Sequence, residues 1–207
     1  MHRVALFVVA LVTIAYTYAA GQTCSNCPVS GIDSHGSTPF GSSTATLCHA
    51  KTHNGFPTPD PACTPGAFNP TITLAVLKNP AFRTGCIRDC ATSPTAKNAT
   101  YARYGLAHPT NNSGATQTCE LDHVVPLEIG GADTLGNIWP QCGPKNVALV
   151  RRYFKQKDLV ENYLADLVKT QVTDPRQLAN LQKLIADDWT QLLPFAQTYC
   201  AQAGHKC

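Results

Sequence analysis

Two features are scarce in this sequence of 207 residues: long apolar runs and net charge. Beyond residue 20 no apolar run approaches the ~20 residues that a helix needs to span a bilayer, so we expect no membrane partner for the mature form. Lys and Arg number 16 against 13 Asp and Glu, which gives a formal net charge of +3. So small an excess excludes binding of nucleic acid through overall charge, and any such binding requires a local basic patch.

The start of the chain differs from the rest. A basic beginning at His2 and Arg3 leads into an apolar run from Val4 to about Ala15, and small residues then precede a polar stretch. This order predicts a secretory signal peptide over residues 1–20. We therefore expect the mature protein to be secreted, either to the extracellular space or to the periplasm.

Cysteine is abundant once the predicted signal peptide has ended. An even number of cysteines in an exported chain predicts disulfide bonds, although the sequence does not say which residues pair. Zinc is the alternative, because Cys24 and Cys27 have the spacing of a metal-binding pair that Cys48 with His49 or His53 would complete. The 10 cysteines are Cys24, Cys27, Cys48, Cys63, Cys86, Cys90, Cys119, Cys142, Cys200 and Cys207.

Composition divides the mature chain into two sections. Residues 21–70 are rich in Gly, Ser, Thr, Pro and Cys and have no helical or strand period, which predicts an irregular, cross-linked section. Within it, Asp33-Ser34-His35-Gly36 is either a second polar site or a turn, and its Ser and Gly favour the turn. Residues 71–207 are expected to form the folded domain, with a short helix from Tyr101 to Leu106.

Two strands and two helices are predicted from residue 119 onward. The run from Leu121 to Ile129 predicts a strand that ends at Gly130-Gly131, and residues 137–141 predict a second strand. Apolar residues repeat at helical spacing from Asn146 onward. Thr173-Asp174-Pro175 predicts the capped start of a second helix, which extends to Pro194. The predicted fold class is therefore α+β.

Asp122 and His123 are the residues of this region whose side chains could bind a metal ion or transfer a proton. Neighbouring residues on a strand point to opposite faces, so one side chain can bind a cation while the other faces a water molecule beside that cation. An imidazole that titrates near neutral pH can take a proton from that water. A divalent ion bound by a carboxylate can neutralise a phosphate and its leaving oxygen.

These residues and their surroundings resemble the HNH endonucleases, the ββα-metal family. The motif comprises Asp122-His123, an apolar strand, Gly130-Gly131 and Asn137-Ile138-Trp139-Pro140. The resemblance spans about residues 63–193, is most specific over 120–141, and implies a ββα-metal (HNH) core with C-terminal helices behind an irregular, disulfide-rich N-terminal section. Further positions are similar to small exported bacterial HNH-like proteins: Thr64-Pro65-Gly66 through Asn69-Pro70, Tyr104-Gly105, Lys157-Asp158, Glu161-Asn162 and Ile185-Ala186-Asp187-Asp188-Trp189.

The resemblance implies a role for each motif residue. His123 is the general base, Asp122 is a metal ligand, and Asn137 holds the connecting loop, and so His123, by hydrogen bonds. The last ligand of the family is a His or Asn on the helix after the second strand. This chain departs from that pattern, because no histidine lies between His123 and His205.

Oxygen-bearing residues are the remaining candidates for that last ligand. Asp158 with Glu161 or Asn162 shares one helical face at a spacing of three or four, and Asn146 lies nearer the second strand. Oxygen ligands suit one Mg or Mn ion better than zinc. We therefore expect Asp122, Asp158 and Glu161 to bind one divalent ion.

A basic run follows the second strand and is either a solvated helix face or a surface that binds phosphates without reading bases. The sequence as a whole predicts a secreted, metal-dependent endonuclease that acts on DNA, with RNA as a second candidate substrate, and with little sequence preference. A non-catalytic, disulfide-rich binding module on the same scaffold is the alternative, and no sequence feature identifies an inhibitor protein. The expected phosphate contacts are Lys145, Arg151, Arg152, Lys155 and Lys157.

Overall fold

The computed structural model describes residues 27–40, 47–89, 92, 94–202 and 205. The predicted signal peptide, together with Cys24, Cys90 and Cys207, lies outside these residues. The described part combines helices and small sheets, as the predicted α+β class requires. Its strands and α-helices are β1 (Thr38–Pro39), β2 (Lys51–His53), β3 (Phe56–Thr58), β4 (Ala67–Phe68), α1 (Leu74–Leu77), α2 (Pro94–Arg103), β5 (Cys119–His123), β6 (Ile138–Cys142), α3 (Tyr153–Thr170), α4 (Pro175–Asp188) and α5 (Leu193–Cys200).

The strands pair into three antiparallel, two-stranded sheets: β1 with β4, β2 with β3, and β5 with β6. Two of these sheets lie in the section that the sequence predicts to be irregular, where their strands are only two or three residues long. The predicted turn at Asp33 is confirmed, since the Gly36 amide donates to the Asp33 carbonyl. In the β5–β6 hairpin, Asp122 lies opposite Trp139 and His123 opposite Ile138.

Strand β5 ends at His123, so the prediction that it continues to Ile129 is wrong. Pro126 has no backbone N–H to donate to a neighbouring strand, and the chain turns there into a 3-10 helix over Leu127–Ile129. Gly130 then has φ +90°, and a Cβ on Gly131 would lie 1.9 Å from the Val125 carbonyl oxygen. The Gly-Gly pair is therefore required by a tight loop that folds back on the end of the strand.

Helices α2 and α3 both begin at positions that differ from the predicted ones. Helix α2 begins at Pro94 and ends before Gly105, which has φ +65°, so the prediction of a helix over Tyr101–Leu106 was placed too late. Helix α3 begins at Tyr153, because a 3-10 turn occupies Leu149–Arg151 where the sequence predicts helix.

The second predicted C-terminal helix is divided into two. The cap at Asp174 is confirmed, but α4 ends at Asp188, whose carboxylate accepts from the Thr190 amide. A 3-10 helix over Trp189–Leu192 then leads into α5, which begins at Leu193.

One apolar core holds the hairpin loop against the helices. Val160, Leu164 and Val168 of α3 are completely buried against Ile185 of α4 and Ile129 of the hairpin loop. Helix α3 also contacts both strands of the hairpin. This packing places the N-terminal half of α3 beside Asp122.

Three disulfides join described cysteines, as the sequence predicts: Cys27–Cys86, Cys48–Cys63 and Cys119–Cys142. The last one closes the open end of the β5–β6 hairpin. The zinc alternative is wrong at Cys27 and Cys48, because both sulfurs are covalently bonded to other cysteines. Among the described residues, no helix combines the length and apolar character that crossing a bilayer requires.

The cap of α4 yields a stability prediction. The Asp174 carboxylate accepts from the Arg176 amide at 2.7 Å, and the Gln177 side chain accepts from the Asp174 amide at 3.2 Å. We expect Asp174→Ala to lower the free energy of unfolding by about 1 kcal/mol in urea titration, because the first turn loses its acceptor. Asp174→Asn keeps an acceptor and should retain most of the stability. Equal losses in both variants would contradict a capping role.

Candidate active site

Asn137 makes four hydrogen bonds, three of them to the loop between β5 and β6 and one to Ala67 of β4. Its side-chain oxygen accepts from the Val125 and Ala67 amides at 2.8 and 3.2 Å. Its side-chain nitrogen donates to the Val125 and Ala132 carbonyls, both at 2.9 Å. The side chain is completely buried, so each of these bonds replaces water that cannot enter. The loop that follows His123 is therefore held from the start of β6, as the resemblance implies.

His123 is paired with an aspartate from the same loop. Its Nε2 lies 2.9 Å from Asp133 Oδ1, and its side chain is 13% exposed while that of Asp133 is fully buried. A carboxylate in this position orients an imidazole and stabilises its protonated form. Among the described residues, no hydrogen bond engages Nδ1 of His123. One ring nitrogen is thus held, and the other is available to exchange a proton.

Asp133 is itself surrounded by donors. Lys97 Nζ lies 3.0 and 2.9 Å from its two carboxylate oxygens, and the Asp89 amide donates to it at 3.0 Å. Burial alone would raise the pKa of Asp133, but the hydrogen bonds from His123 and Lys97 outweigh it and hold that pKa well below its ordinary range. Asp133 is therefore a permanent anion beneath His123.

Two cationic side chains reach the solvent beside this dyad. Arg88 lies 3.6 Å from Asp133 and is 47% exposed, while Lys97 is 21% exposed. His35, from the predicted turn, pairs with Asp89 at 3.1 Å. An anionic ligand beside His123 would thus meet positive charge from Arg88 and Lys97, which lie outside the motif that the sequence singles out.

Asp122 points away from this dyad towards α3. Its Oδ2 lies 3.1 Å from Nζ of Lys157, which also contacts Glu161 Oε1 at 2.5 Å and donates to the His123 carbonyl at 2.6 Å. The Lys157 side chain is only 1% exposed. The structure thus brings the predicted metal ligands Asp122 and Glu161 together, with an ammonium group between them.

The charges of this triad follow from its geometry. Burial alone would lower the pKa of Lys157, but the Asp122 and Glu161 carboxylates outweigh it and raise that pKa. Burial raises the pKa of Glu161 well above its ordinary value, and Lys157 offsets only part of that shift. Lys157 is therefore a permanent cation.

The predicted metal ligands do not fit a divalent ion. An ammonium has no lone pair to donate, and Lys157 already occupies the space between Asp122 and Glu161. Asp158, the third predicted ligand, pairs with Lys155 at 2.6 Å instead. Within the described ranges, no group of three or more His, Cys, Asp or Glu side chains has an arrangement that could hold a metal. The Mg or Mn ion stays a prediction.

The structure corrects the predicted phosphate-binding surface at two positions. Arg152 is buried and donates to the Pro144 carbonyl at 2.6 Å, and Lys157 is buried in the triad, so neither charge is available to a phosphate. Lys145 and Arg151 are exposed, and Lys155 is partly exposed beside Asp158. These three retain the solvent access that phosphate binding needs.

Sequence analysis missed Asp133, Lys97 and Arg88 as site residues. Asp133 had a recognisable signal, since it follows Gly130-Gly131 as an acidic residue in an otherwise small and apolar loop segment. Lys97 and Arg88 lie 36 and 45 positions before Asp133 in the numbering and carry no motif of their own. Only folding brings them to the carboxylate.

No protein-family model matches this chain, and no curated protein or solved structure is significantly similar to it. The resemblance to the HNH endonucleases therefore rests on the residues of this chain and stays a prediction.

The Asn137 contacts predict a large loss of stability on truncation. In Asn137→Ala, the buried Val125 and Ala132 groups lose their partners, so we expect the free energy of unfolding to fall by at least about 2 kcal/mol. Urea titration measures the difference. Asn162→Ala, at an exposed position on α3, is the matched control and should change little. A similar small effect in both variants would show that the loop does not depend on Asn137.

The lowered pKa of Asp133 predicts how stability changes in acid. Above the ordinary Asp pKa of about 4 this carboxylate is ionised in both states, and its pairing stabilises the fold in full. Below that value the unfolded chain takes up a proton that the folded chain does not, so the stabilisation is progressively lost.

We therefore expect the stability advantage of the wild type over Asp133→Asn to shrink as the pH falls below about 4. Chemical denaturation at a series of pH values measures it. Asp187→Asn, at an exposed carboxylate that pairs with Lys183, is the control. An advantage that stays constant or grows in acid would contradict the assignment.

Proposed function

We propose that this chain is a secreted endonuclease that hydrolyses phosphodiester bonds of DNA or RNA, with His123 as its general base. The observation that carries the proposal is the His123–Asp133 pair, in which a buried anion holds one imidazole nitrogen at 2.9 Å. The order of hairpin β5–β6 and helix α3, with Asn137 at the loop, supports assignment to the ββα-metal architecture.

The chemical step follows from these groups. His123 takes a proton from a water molecule through its available nitrogen, and the water oxygen forms a bond to phosphorus while the bond to the leaving oxygen breaks. Asp133 stabilises the imidazolium that results. The proton then passes from His123 to the leaving oxygen or to solvent, which restores the neutral base. The family resemblance implies a product that carries a 5′-phosphate.

Binding of the substrate is assigned to its backbone. Arg88 and Lys97 lie beside the dyad and supply charge to the phosphate under attack, and Lys145, Arg151 and Lys155 offer further contacts at the surface. Cations on flexible side chains neutralise phosphates without reading base edges. We therefore expect little sequence preference and a binding affinity that falls steeply as salt is added.

Secretion is supported by the disulfides Cys27–Cys86, Cys48–Cys63 and Cys119–Cys142, because disulfides persist in oxidising compartments. They also suit a chain in which the described part of the N-terminal section forms strands of two or three residues. The proposal for localisation therefore rests on the covalent cross-links together with the predicted signal peptide.

A non-catalytic binding module is the second candidate, and one observation favours it. The ion pair of Lys157 with Asp122 engages a residue that the family resemblance assigns to metal binding. On such a scaffold the His123–Asp133 pair would stabilise the loop between β5 and β6 and have no catalytic role. The two candidates differ in whether the oxidised protein cleaves nucleic acid at all.

Cleavage of plasmid DNA and of a fluorescent RNA by the purified, oxidised protein tests the proposal. We expect His123→Ala to lower the rate by about 10²- to 10⁴-fold, the usual contribution of a general base. His49→Ala, at an exposed histidine elsewhere, is the matched control and should cleave at the wild-type rate. Cleavage that survives His123→Ala would remove the general base from the proposal. A folded protein that cleaves neither substrate, with or without Mg²⁺ or Mn²⁺, would favour the binding module.

A further inference from the structure

Among the described residues, the Lys157 triad is a buried charge cluster that the proposed cleavage step does not use directly. Its ammonium contacts one oxygen from each of three sources: the Asp122 carboxylate, the Glu161 carboxylate and the His123 carbonyl, at 3.1, 2.5 and 2.6 Å. Two of these groups belong to residues predicted to bind metal. A cation is therefore already present among the oxygens that a divalent ion would need.

We infer that the cation of this site is the Lys157 ammonium itself, and that the site takes no divalent metal ion. The inference deepens the proposed function and rests on it for one consequence: cleavage should be insensitive to chelators. The site should exclude a divalent ion whether or not the protein cleaves nucleic acid.

Exclusion of a divalent ion follows from charge and space. An ion close enough to bind both Asp122 and Glu161 would have to displace the ammonium or lie beside it, where two positive charges repel. Displacement would leave the Lys157 ammonium charged and almost completely buried, at 1% side-chain exposure, and an unpaired buried charge is strongly destabilising. The Lys157 ammonium therefore occupies the site and excludes a divalent metal ion.

The ammonium also has a structural consequence for the dyad. The Lys157 ammonium donates to the backbone carbonyl of His123 and so fixes the backbone of the general base from the side of α3. Asp133 holds the imidazole of His123 from the opposite side. Lys157 is thus a positioning residue, since its charge is buried and it does not reach the proposed phosphate. Glu161, one helical turn away, holds the ammonium in place.

Titration with Mn²⁺, followed by electron paramagnetic resonance, tests the inference directly. We expect the wild-type protein and Asp122→Asn to bind Mn²⁺ equally poorly, because Asp122 is already paired. Stoichiometric binding by the wild type that disappears in Asp122→Asn would overturn the inference. This measurement needs no enzymatic activity.

A variant that removes the ammonium provides a second test. Lys157→Met keeps an unbranched stem but leaves the carboxylates of Asp122 and Glu161 without a cation. We expect this variant to melt at a lower temperature than the wild type and Mn²⁺ to raise its melting temperature, because an ion that binds only the folded state stabilises it. Lys155→Met, which breaks the partly exposed pair with Asp158 on the same helix, is the matched control and should gain no stabilisation from Mn²⁺.

Equal responses to Mn²⁺ in Lys157→Met and Lys155→Met would contradict the assignment of Lys157 as the site's cation. If Lys157→Met does not fold, the Mn²⁺ titration of the wild type against Asp122→Asn still decides the inference.

The activity assay separates failure of this inference from failure of the proposed function. We expect the wild type to cleave at the same rate in EDTA as in Mg²⁺, with both rates lost in His123→Ala. Cleavage that EDTA abolishes and Mg²⁺ restores would overturn the metal-free site while leaving the nuclease proposal intact. Absence of cleavage under every condition would remove the proposed function, and the Mn²⁺ measurements would then stand alone as the test of the site's cation.

Discussion

The site depends on the hydrogen bonds that Asn137 makes to the loop behind His123. This buried amide accepts from the Val125 amide and donates to the Val125 and Ala132 carbonyls, so it restrains both sides of the tight turn. The loop in turn carries Asp133 to the imidazole of His123. Without this restraint, a loop that contains Gly130, Gly131 and Gly136 would have many conformations and no fixed place for a buried carboxylate.

His123 and Asp122, neighbours in the motif, contact partners of opposite charge. His123 rests on the anion of Asp133, which needs Lys97 and Arg88 to remain buried and ionised. Asp122 faces the cation of Lys157, which needs Glu161 as well. Alternation along strand β5 separates these environments by one residue. A buried charge of either sign is tolerated here because each has several partners at short distance.

Much of the local structure was predictable because its causes are local. The hairpin strands, the cap at Asp174 and the amphipathic pattern of α3 each depend on residues close together in sequence. The boundaries that differ have local reasons too, such as Pro126, which ends β5 early, and Asp188, which caps a new turn. The pairing of cysteines was not predictable, since spacing does not report which sulfurs meet in space.

The sequence by itself determined the α+β class, the export-type cysteine content, and the motif of Asp122, His123 and Asn137, because composition, period and short spacing are properties of the chain alone. Only the tertiary structure decided what each motif residue faces. Lys157 reaches Asp122 across 35 positions of numbering, and Lys97 reaches Asp133 across 36. The packing of segments that are distant in sequence determines which group lies beside a buried charge. At Asp122, a predicted metal ligand, this packing places the Lys157 ammonium, and the two side chains form an ion pair.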